Sequence, residues 1–312
     1  MTITKAHAEE RVAGGTSVAD LQQTLRVPRR DSPQYRFWRR LWQHKLGMFG
    51  LAVLLLLVIA ALFAPVLAGQ DPAAIDLRQK NQPPSAEHIL GTDAIGRDVW
   101  ARLVYGARIS LSVGLVAVGI YTTIALLLGS VSGYMGGLVD SVIMRFTDIM
   151  MCFPTFLLII TVAALLPPNI FNIMVIIGIF GWPGMTRLVR GQFLSLRSRD
   201  FVLAAVALGV PTRRIIFRHI LPNVVGPVVV AATLGLAGAI MTESSLSFLG
   251  LGVQQPTPSW GQTLTTAMQL PILEGMPWRW LPSALAIAFA VLSVNFFGDA
   301  LRDALDPRMN LE

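Results

Sequence analysis

The sequence predicts an all-α polytopic membrane protein with six transmembrane helices. Of its 312 residues, 54% are hydrophobic and only 14% are charged, whereas soluble domains carry about 25% charged residues. Several uncharged stretches are long enough to cross a bilayer, which takes about 20 apolar residues in a helix. The chain is therefore expected to bury apolar surface in lipid as well as in its own core.

Each predicted span rests on an uncharged stretch and on the residues that end it. Residues 47–68 and 109–134 contain no charge, and each would form a helix longer than about 30 Å. The uncharged run between Asp148 and Arg187 is divided by "LPPN" at 166–169, because consecutive prolines end a helix. The six predicted spans are 47–68, 109–134, 147–166, 170–186, 223–242 and 281–298.

The distribution of basic residues predicts the orientation of these spans. One side receives both chain ends, the turn near Arg145 and the segment 187–222, which together hold 19 of the 25 Lys and Arg residues. Positive residues concentrate on the cytoplasmic side, so both termini and this segment are predicted to be cytoplasmic. Topology thus accounts for the net charge of +7, and nucleic-acid binding is not expected.

Residues 35–46 precede the first span and combine aromatic residues with cations. Tyr35, Trp38, Leu41 and Trp42 share one helical face, a pattern typical of a helix in the inner membrane interface. A simple positive anchor for the first span is the alternative. The predicted organisation is a cytoplasmic tail at 1–46, a membrane domain at 47–308 and a short end at 309–312.

The sequence lacks the motifs of common catalytic and energy-converting sites. None of its three lysines follows a glycine, so it has no Walker A phosphate loop. Its spans are nearly free of ionisable residues, whereas ion-driven carriers usually place charges in mid-membrane. We expect no catalytic site, metal or cofactor in this chain, and an energy source outside it. A self-sufficient secondary carrier is the alternative class.

The cytoplasmic segment predicts two short helices joined by a hinge. Asp200 suits the N-terminus of the first helix, Gly209 suits the position just after its end, and Pro211 suits the first turn of the second helix. Ala204 and Ala205 are small enough to let a partner approach closely.

The second of these helices is basic and amphipathic. It would place Arg214 and Arg218 one turn apart, with 215–217 supplying apolar contacts, and it would end at the Leu-Pro pair at 221–222. A docking surface for another protein is the favoured interpretation, and a loop that merely covers the helix bundle is the alternative.

The same segment resembles the EAA loop of ABC-importer permeases, which docks into the ATPase subunit. The shared features are Ala-Ala at 204–205, Gly209 and Ile-Leu-Pro at 220–222. Leu203 occupies the position of the glutamate that gives the loop its name, and Asp200 is the nearby acid.

Four further blocks resemble the peptide/nickel branch of this family, and more narrowly the shorter permease of dipeptide and oligopeptide importers. The resemblance runs from about residue 35 to residue 308, with the blocks in the expected order. They are "ILGTDAIGRDVWARLVYGARISL" (89–111), "FTDIMMCFPTFLL" (146–158), "ESSLSFLGLGVQQPTPSWG" (243–261) and "GDALRDALDPR" (298–308).

The resemblance implies a type I ABC importer permease fold in the bacterial inner membrane. It also implies a second homologous permease, two ATPase subunits and an extracytoplasmic solute-binding protein as partners, with peptides, nickel or glutathione as possible cargo. The implied ATPase-docking residues are Asp200, Ala204, Ala205, Gly209, Arg213, Arg214, Phe217, Arg218, His219, Leu221 and Pro222.

Two outer loops remain. One interpretation of the Gly69–Arg108 loop is a scaffold that packs against the partner permease and the binding protein. Another is a metal site using Glu87, His88, Asp93 and Asp98, and a plain solvated loop is favoured over that metal site.

The second outer loop contains four prolines and three tryptophans, which favour a partly re-entrant hairpin near an outer gate. Trp260 is expected at the outer membrane interface. Glu243, at the outer end of the fifth span, is expected to face water, with capture of a peptide amino group as the alternative. Both residues are candidates for the outer gate.

Overall fold

The computed structural model describes residues 33–305, and within this range the chain is helical without strands. The predicted tail up to residue 32 and the end at 309–312 lie outside the described residues. The helices are α1 Pro33–Gln43, α2 Lys45–Leu62, α3 Ala64–Leu67, α4 Val99–Met135, α5 Gly137–Cys152, α6 Thr155–Leu165, α7 Ile170–Phe180, α8 Trp182–Arg197, α9 Asp200–Ala207, α10 Thr212–Phe248, α11 Trp260–Leu264, α12 Leu270–Gly275 and α13 Leu281–Leu305.

Four of these helices, α2, α4, α10 and α13, are long and apolar enough to cross a membrane. The pairs α5–α6 and α7–α8 bend by 80° and 42°, and counting each pair as one span gives six. The sharper bend lies at Phe153, which is extended (φ −96°, ψ 137°) because the residue before a proline avoids the helical region. The all-α prediction is confirmed.

The helices extend beyond the predicted spans at several ends. α4 starts at Val99 rather than 109, since the Asp98 carboxylate caps it by accepting a hydrogen bond from the Ala101 amide at 2.6 Å. α5 starts at Gly137 rather than 147, and α8 continues to Arg197 rather than 186. An uncharged stretch in the sequence therefore marks only the apolar part of a helix. The same helix continues beyond that stretch for several turns that contain charged residues.

α4 is the central helix, in contact with α2, α7, α8, α10 and α11. Its most extensive contact is with α8, where a Cβ added at Gly129 would lie 2.7 Å from the Val189 Cβ. A Cβ added at Gly133 would lie 2.6 Å from the Phe193 Cβ. Small residues let membrane helices approach closely, so this contact fixes the core of the bundle.

α13 closes the other side of the bundle by packing on α1, α2 and α10. Leu41 of α1 is buried against Ala300 and Ala304, whereas Trp38 and Trp42 are exposed. Leu41 therefore does not share the outward face predicted for the aromatic residues, because α13 covers it.

Candidate functional site

The hinge after α9 has the predicted glycine. Gly209 has a φ of 73°, a left-handed conformation that glycine adopts without steric cost. The Gly209 amide donates to the Val206 carbonyl at 2.9 Å and the Val210 amide donates to the Ala205 carbonyl at 3.0 Å, which is the Schellman pattern of a helix end. Pro211 is the N-cap of α10, one position before the predicted first turn.

The predicted stop at Leu221-Pro222 is wrong, because α10 runs on without a break to Phe248. Residues Ile215–Ile220 form a π-helix, in which the Leu221 amide donates to the Ile216 carbonyl. A proline normally leaves a carbonyl of the preceding turn without its donor. Pro222 has no amide to donate to the preceding turn, and the wider turn of the π-helix just before it accommodates its ring. The Asn223 side-chain amide donates to the next carbonyl along, that of His219, at 2.7 Å.

Most of the predicted docking residues face outward. Ala205 is an exception: it is 7% exposed and packs with Val202, Ile215 and Ile220 against the bundle, so it is not part of the outward surface. His219 and Leu221 are half-buried. The exposed members are Asp200, Ala204, Gly209, Arg213, Arg214, Phe217, Arg218 and Pro222.

Sequence reasoning expected Phe217 to supply apolar contact but missed three further exposed apolar residues of this segment. Leu203, Val206 and Leu208 of the α9 region are 54%, 53% and 83% exposed, and Phe217 of α10 is 59% exposed. The available signal was the stretch "FVLAAVALG", which is too uniformly apolar for a helix with one face in water. We call Leu203, Val206, Leu208 and Phe217 the inner patch.

Two ion pairs join α5 to α8, the helix that leads into α9. Arg190 donates from Nε and Nη2 to the two carboxylate oxygens of Asp140, each at 2.6 Å, and Ser132 also donates to Asp140. Arg187 donates to Asp148 at 2.5 Å, with both side chains about half exposed. These contacts fix the start of the segment relative to the bundle.

The sequence led us to expect that Glu243 faces water. Instead it is fully buried between α4 and α10. Ser110 and Ser247 donate to its two carboxylate oxygens at 2.9 and 2.8 Å, and Ser244 lies at 3.4 Å. These hydroxyls come from two helices, so the sequence around Glu243 alone did not reveal them.

Trp260 does not expose its ring to an interface either. Its side chain is 1% exposed, and its indole Nε1 donates to the Leu103 carbonyl at 3.0 Å. Gly106 of α4 makes room for the ring. Ser110 Oγ lies 3.4 Å from the Trp260 amide and 2.9 Å from Glu243, so the structure brings the two outer-gate candidates together around one serine.

The first outer loop is neither a plain solvated loop nor arranged as the proposed metal site. His88 Nδ1 lies 2.8 Å from Asp98 Oδ2, and Arg97 Nε donates to Asp93 Oδ2 at 2.7 Å. These four side chains are buried, whereas Glu87 is exposed. No group of three or more metal-ligating side chains forms in the part of the chain that the structure describes. The loop has a polar interior of its own.

An open groove of about 300 Å³ lies among α4, α6, α7, α8 and α10. Its walls are mainly small or apolar, with Gly235 and Gly238 on α10, and its polar groups include Tyr121, Thr155 and Thr242. No sequence motif marked these residues, because they come from separate helices and only folding brings them together.

Two family comparisons cover most of the chain. Residues 125–311 match the family described as the binding-protein-dependent transport system inner membrane component. Residues 32–84 match the N-terminal transmembrane domain of oligopeptide transport permease C.

Individual proteins agree with this assignment. A dipeptide transport system permease of Alkalihalophilus pseudofirmus is 43% identical over 89% of this chain and 91% of its own length. An oligopeptide transport system permease of Bacillus subtilis is 41% identical over 86% and 88% of the two chains. A structure of the MetNI methionine ABC transporter, in an inward-facing conformation, matches 66% of this chain and 97% of its own with a TM-score of 0.54 at 16% identity, which establishes the shared fold. The chain therefore belongs to the family of binding-protein-dependent transport system inner membrane components.

Proposed function

We propose that this chain is the transmembrane permease subunit of an ATP-binding-cassette importer that carries dipeptides or oligopeptides across the bacterial inner membrane. The exposed apolar residues of the inner patch carry this proposal, and Phe217 among them lines one surface pocket with Arg213, Arg214 and Arg218. Several exposed apolar side chains on one segment indicate a site for another protein, and the chain has no phosphate loop of its own. The transport systems to which its relatives belong favour peptides over nickel or glutathione.

The proposed topology places both termini and the inner patch in the cytoplasm, with residues 47–308 as the membrane domain and 35–46 as an interfacial helix. The proposed partners are a second homologous permease, two ATPase subunits and an extracytoplasmic solute-binding protein. The concentration of basic residues on one side supports this orientation.

The proposed mechanism transfers motion from the ATPases through α9 and α10. The inner patch supplies apolar contact, and the three arginines supply charged hydrogen bonds around it. ATP binding biases one of two packings of the bundle. The groove lined by α4, α8 and α10 serves as one wall of the pathway, because its few polar groups suit peptides whose side chains differ.

Gentle extraction of the tagged chain followed by mass spectrometry of what co-purifies tests the assembly. A second permease and P-loop ATPases are expected. A chain that comes out alone repeatedly in mild detergent, with uptake that does not depend on ATP, would contradict the proposal and favour the secondary carrier.

Arg214→Glu tests the docking role directly. We expect a loss of ATP-driven peptide uptake of about tenfold or more, as a charge reversal in a docked surface disrupts it, while membrane insertion and ATPase expression stay normal. Arg78→Glu, the same reversal at an exposed residue of the first outer loop, is the matched control. Equal uptake in the two variants would refute the docking role.

A further inference from the structure

Three buried arginines surround one small cavity at the junction of the two outer loops. Arg97 lies in the first loop just before α4, Arg102 lies in the first turns of α4, and Arg279 lies at the end of the second loop. Their exposed fractions are 7%, 2% and 4%. All three line the same largely enclosed cavity, so positive charge is concentrated where water has little access.

The surrounding residues do not neutralise this charge. Asp93 is the only carboxylate among the described residues that line the cavity, and its oxygens already accept from Arg97 Nε at 2.7 Å and from the Ile95 and Arg97 amides at 3.0 Å. Within residues 33–305 the only ion pair that the three arginines form is Arg97 with Asp93. Two positive charges are therefore uncompensated.

The other partners of these guanidinium groups are neutral oxygens. Arg102 donates to the Gln262 Oε1 at 2.6 Å, Arg97 to the Gln255 Oε1 at 3.1 Å, and Arg279 to the Asn81 Oδ1 at 3.0 Å. Hydrogen bonds to amides satisfy donors but leave the net charge in place, and a buried charge without a counter-charge is costly.

Arg279 also has a donor without an acceptor. Its Nε is buried and has no hydrogen-bond partner, although buried donors are almost always paired. Desolvation lowers the pKa of the Arg279 guanidinium, with Asp93 raising it and Arg97 lowering it. Arg279, Asp93 and Arg97 are thus close enough for their charges to act on one another. Among these groups, the Nε–H of Arg279 lacks an acceptor.

The cavity has a volume of about 20 Å³. A cavity needs about 10–15 Å³ of this kind of space to hold one water-sized particle, so a peptide carboxylate or a phosphate does not fit. We propose that this cavity is a binding site for a single halide ion, chloride under physiological conditions, held by Arg97, Arg102 and Arg279. The ion connects the two outer loops, through Arg97 and Arg279, to Arg102 of α4.

Thermal unfolding of the detergent-purified protein, with whatever partners it retains, tests the site. At constant ionic strength, replacing gluconate by chloride is expected to raise the Tm by roughly 3–6 °C with saturation, and bromide should act likewise. Labelled chloride should bind at about one ion per chain. Equal Tm values in chloride and gluconate, with no saturable chloride binding, would overturn the proposal in favour of a water molecule.

Gln262→Glu supplies the missing negative charge from the protein, since the side-chain oxygen at this position lies 2.6 Å from Arg102 Nη2. We expect this variant to be as stable in gluconate as the unchanged protein is in chloride, and to lose the chloride response. Gln254→Glu, the same change at an exposed glutamine, should keep the full response. A full chloride response in Gln262→Glu would overturn the site.

Arg279→Gln provides a second measurement that does not depend on the glutamate variant. It removes one of the three cations and the unpaired Nε, so labelled chloride should bind at least tenfold more weakly. Unchanged chloride affinity in Arg279→Gln would place the ion elsewhere and overturn the assignment.

Discussion

The two ends of the bundle differ in which side chains they bury and which they expose. At the outer end, charged residues such as Arg102 and Asp98 are buried, and Trp260 is 1% exposed. At the inner end, Arg213 and Arg214 are exposed, and so is the apolar inner patch. The outer loops satisfy most of their groups within the chain, whereas the inner segment presents its groups to the surroundings.

This difference separates residues that hold the fold from residues available to a partner. Substitutions at the outer end should change stability, and substitutions on the outward surface of the inner segment should change transport without changing stability.

Trp260→Ala should give the largest loss of stability. It empties a fully buried site and removes the hydrogen bond to the Leu103 carbonyl, which costs about 3–5 kcal/mol for a buried aromatic residue. Thermal unfolding measures it, with Trp42→Ala, at an exposed tryptophan, as the control expected to change little. Equal Tm values for the two variants would contradict the view that buried residues at the outer end stabilise the fold and exposed ones do not.

Gly96→Ala against Gly69→Ala separates crowding from backbone strain in the first outer loop. Both glycines have positive φ, but a Cβ at Gly96 would lie 1.7 Å from the Asp76 carbonyl oxygen, whereas Gly69 has nothing within 4 Å. Gly69→Ala should cost about 1–2 kcal/mol from strain alone, and Gly96→Ala clearly more. Chemical or thermal unfolding of both variants measures the difference, and similar losses would show that the loop adjusts freely.

Ile215→Ala and Phe217→Ala compare the two faces of α10 within the inner segment. Ile215 is 2% exposed and Phe217 is 59% exposed, so only the first should lower stability, by about 2–4 kcal/mol. Phe217→Ala should instead reduce ATP-driven uptake at unchanged Tm. A Phe217→Ala protein with normal uptake would remove the main support for docking at the inner patch.

Asp140→Asn and Asp148→Asn should give the smallest changes. Asp140 receives two hydrogen bonds from Arg190 and one from Ser132, and its loss should cost about 1–2 kcal/mol. Asp148 pairs with a half-exposed Arg187, and such pairs contribute about 0–1 kcal/mol. Unfolding midpoints that fall in the reverse order would show that the bidentate geometry adds nothing.

The sequence predicted the elements that depend on local chemistry. The apolar stretches located the long helices, the "LPPN" turn separated α6 from α7, and Gly209 was correctly placed just after a helix end. Each of these signals lies within a few residues of the structure it determines. The Leu-Pro stop failed because a π-helix at Ile215–Ile220 leads directly into the proline and accommodates its ring.

The surroundings of Glu243, Trp260 and Arg102 were predicted poorly from the sequence, because their contacts join residues far apart along the chain. Glu243 pairs with Ser110, and Arg102 with Gln262, and no local pattern indicates such pairs. Charged or aromatic residues near a span end suggest an interface, which is the interpretation that failed for Trp260. Burial of the Trp260 ring among α2, α4 and α13 overrides that rule.

The unbroken course of α10 has a mechanical consequence. Phe217 and Glu243 lie on one continuous helix, about 40 Å apart at the usual rise per residue. A rigid rod of this length that tilts by about 5° around one end displaces the other by about 3 Å. Pro227 inside this helix and the π-helix at Ile215–Ile220 are the two places where the rod can bend, so the part of such a displacement that reaches Glu243 depends on how firmly the neighbouring helices hold these two places.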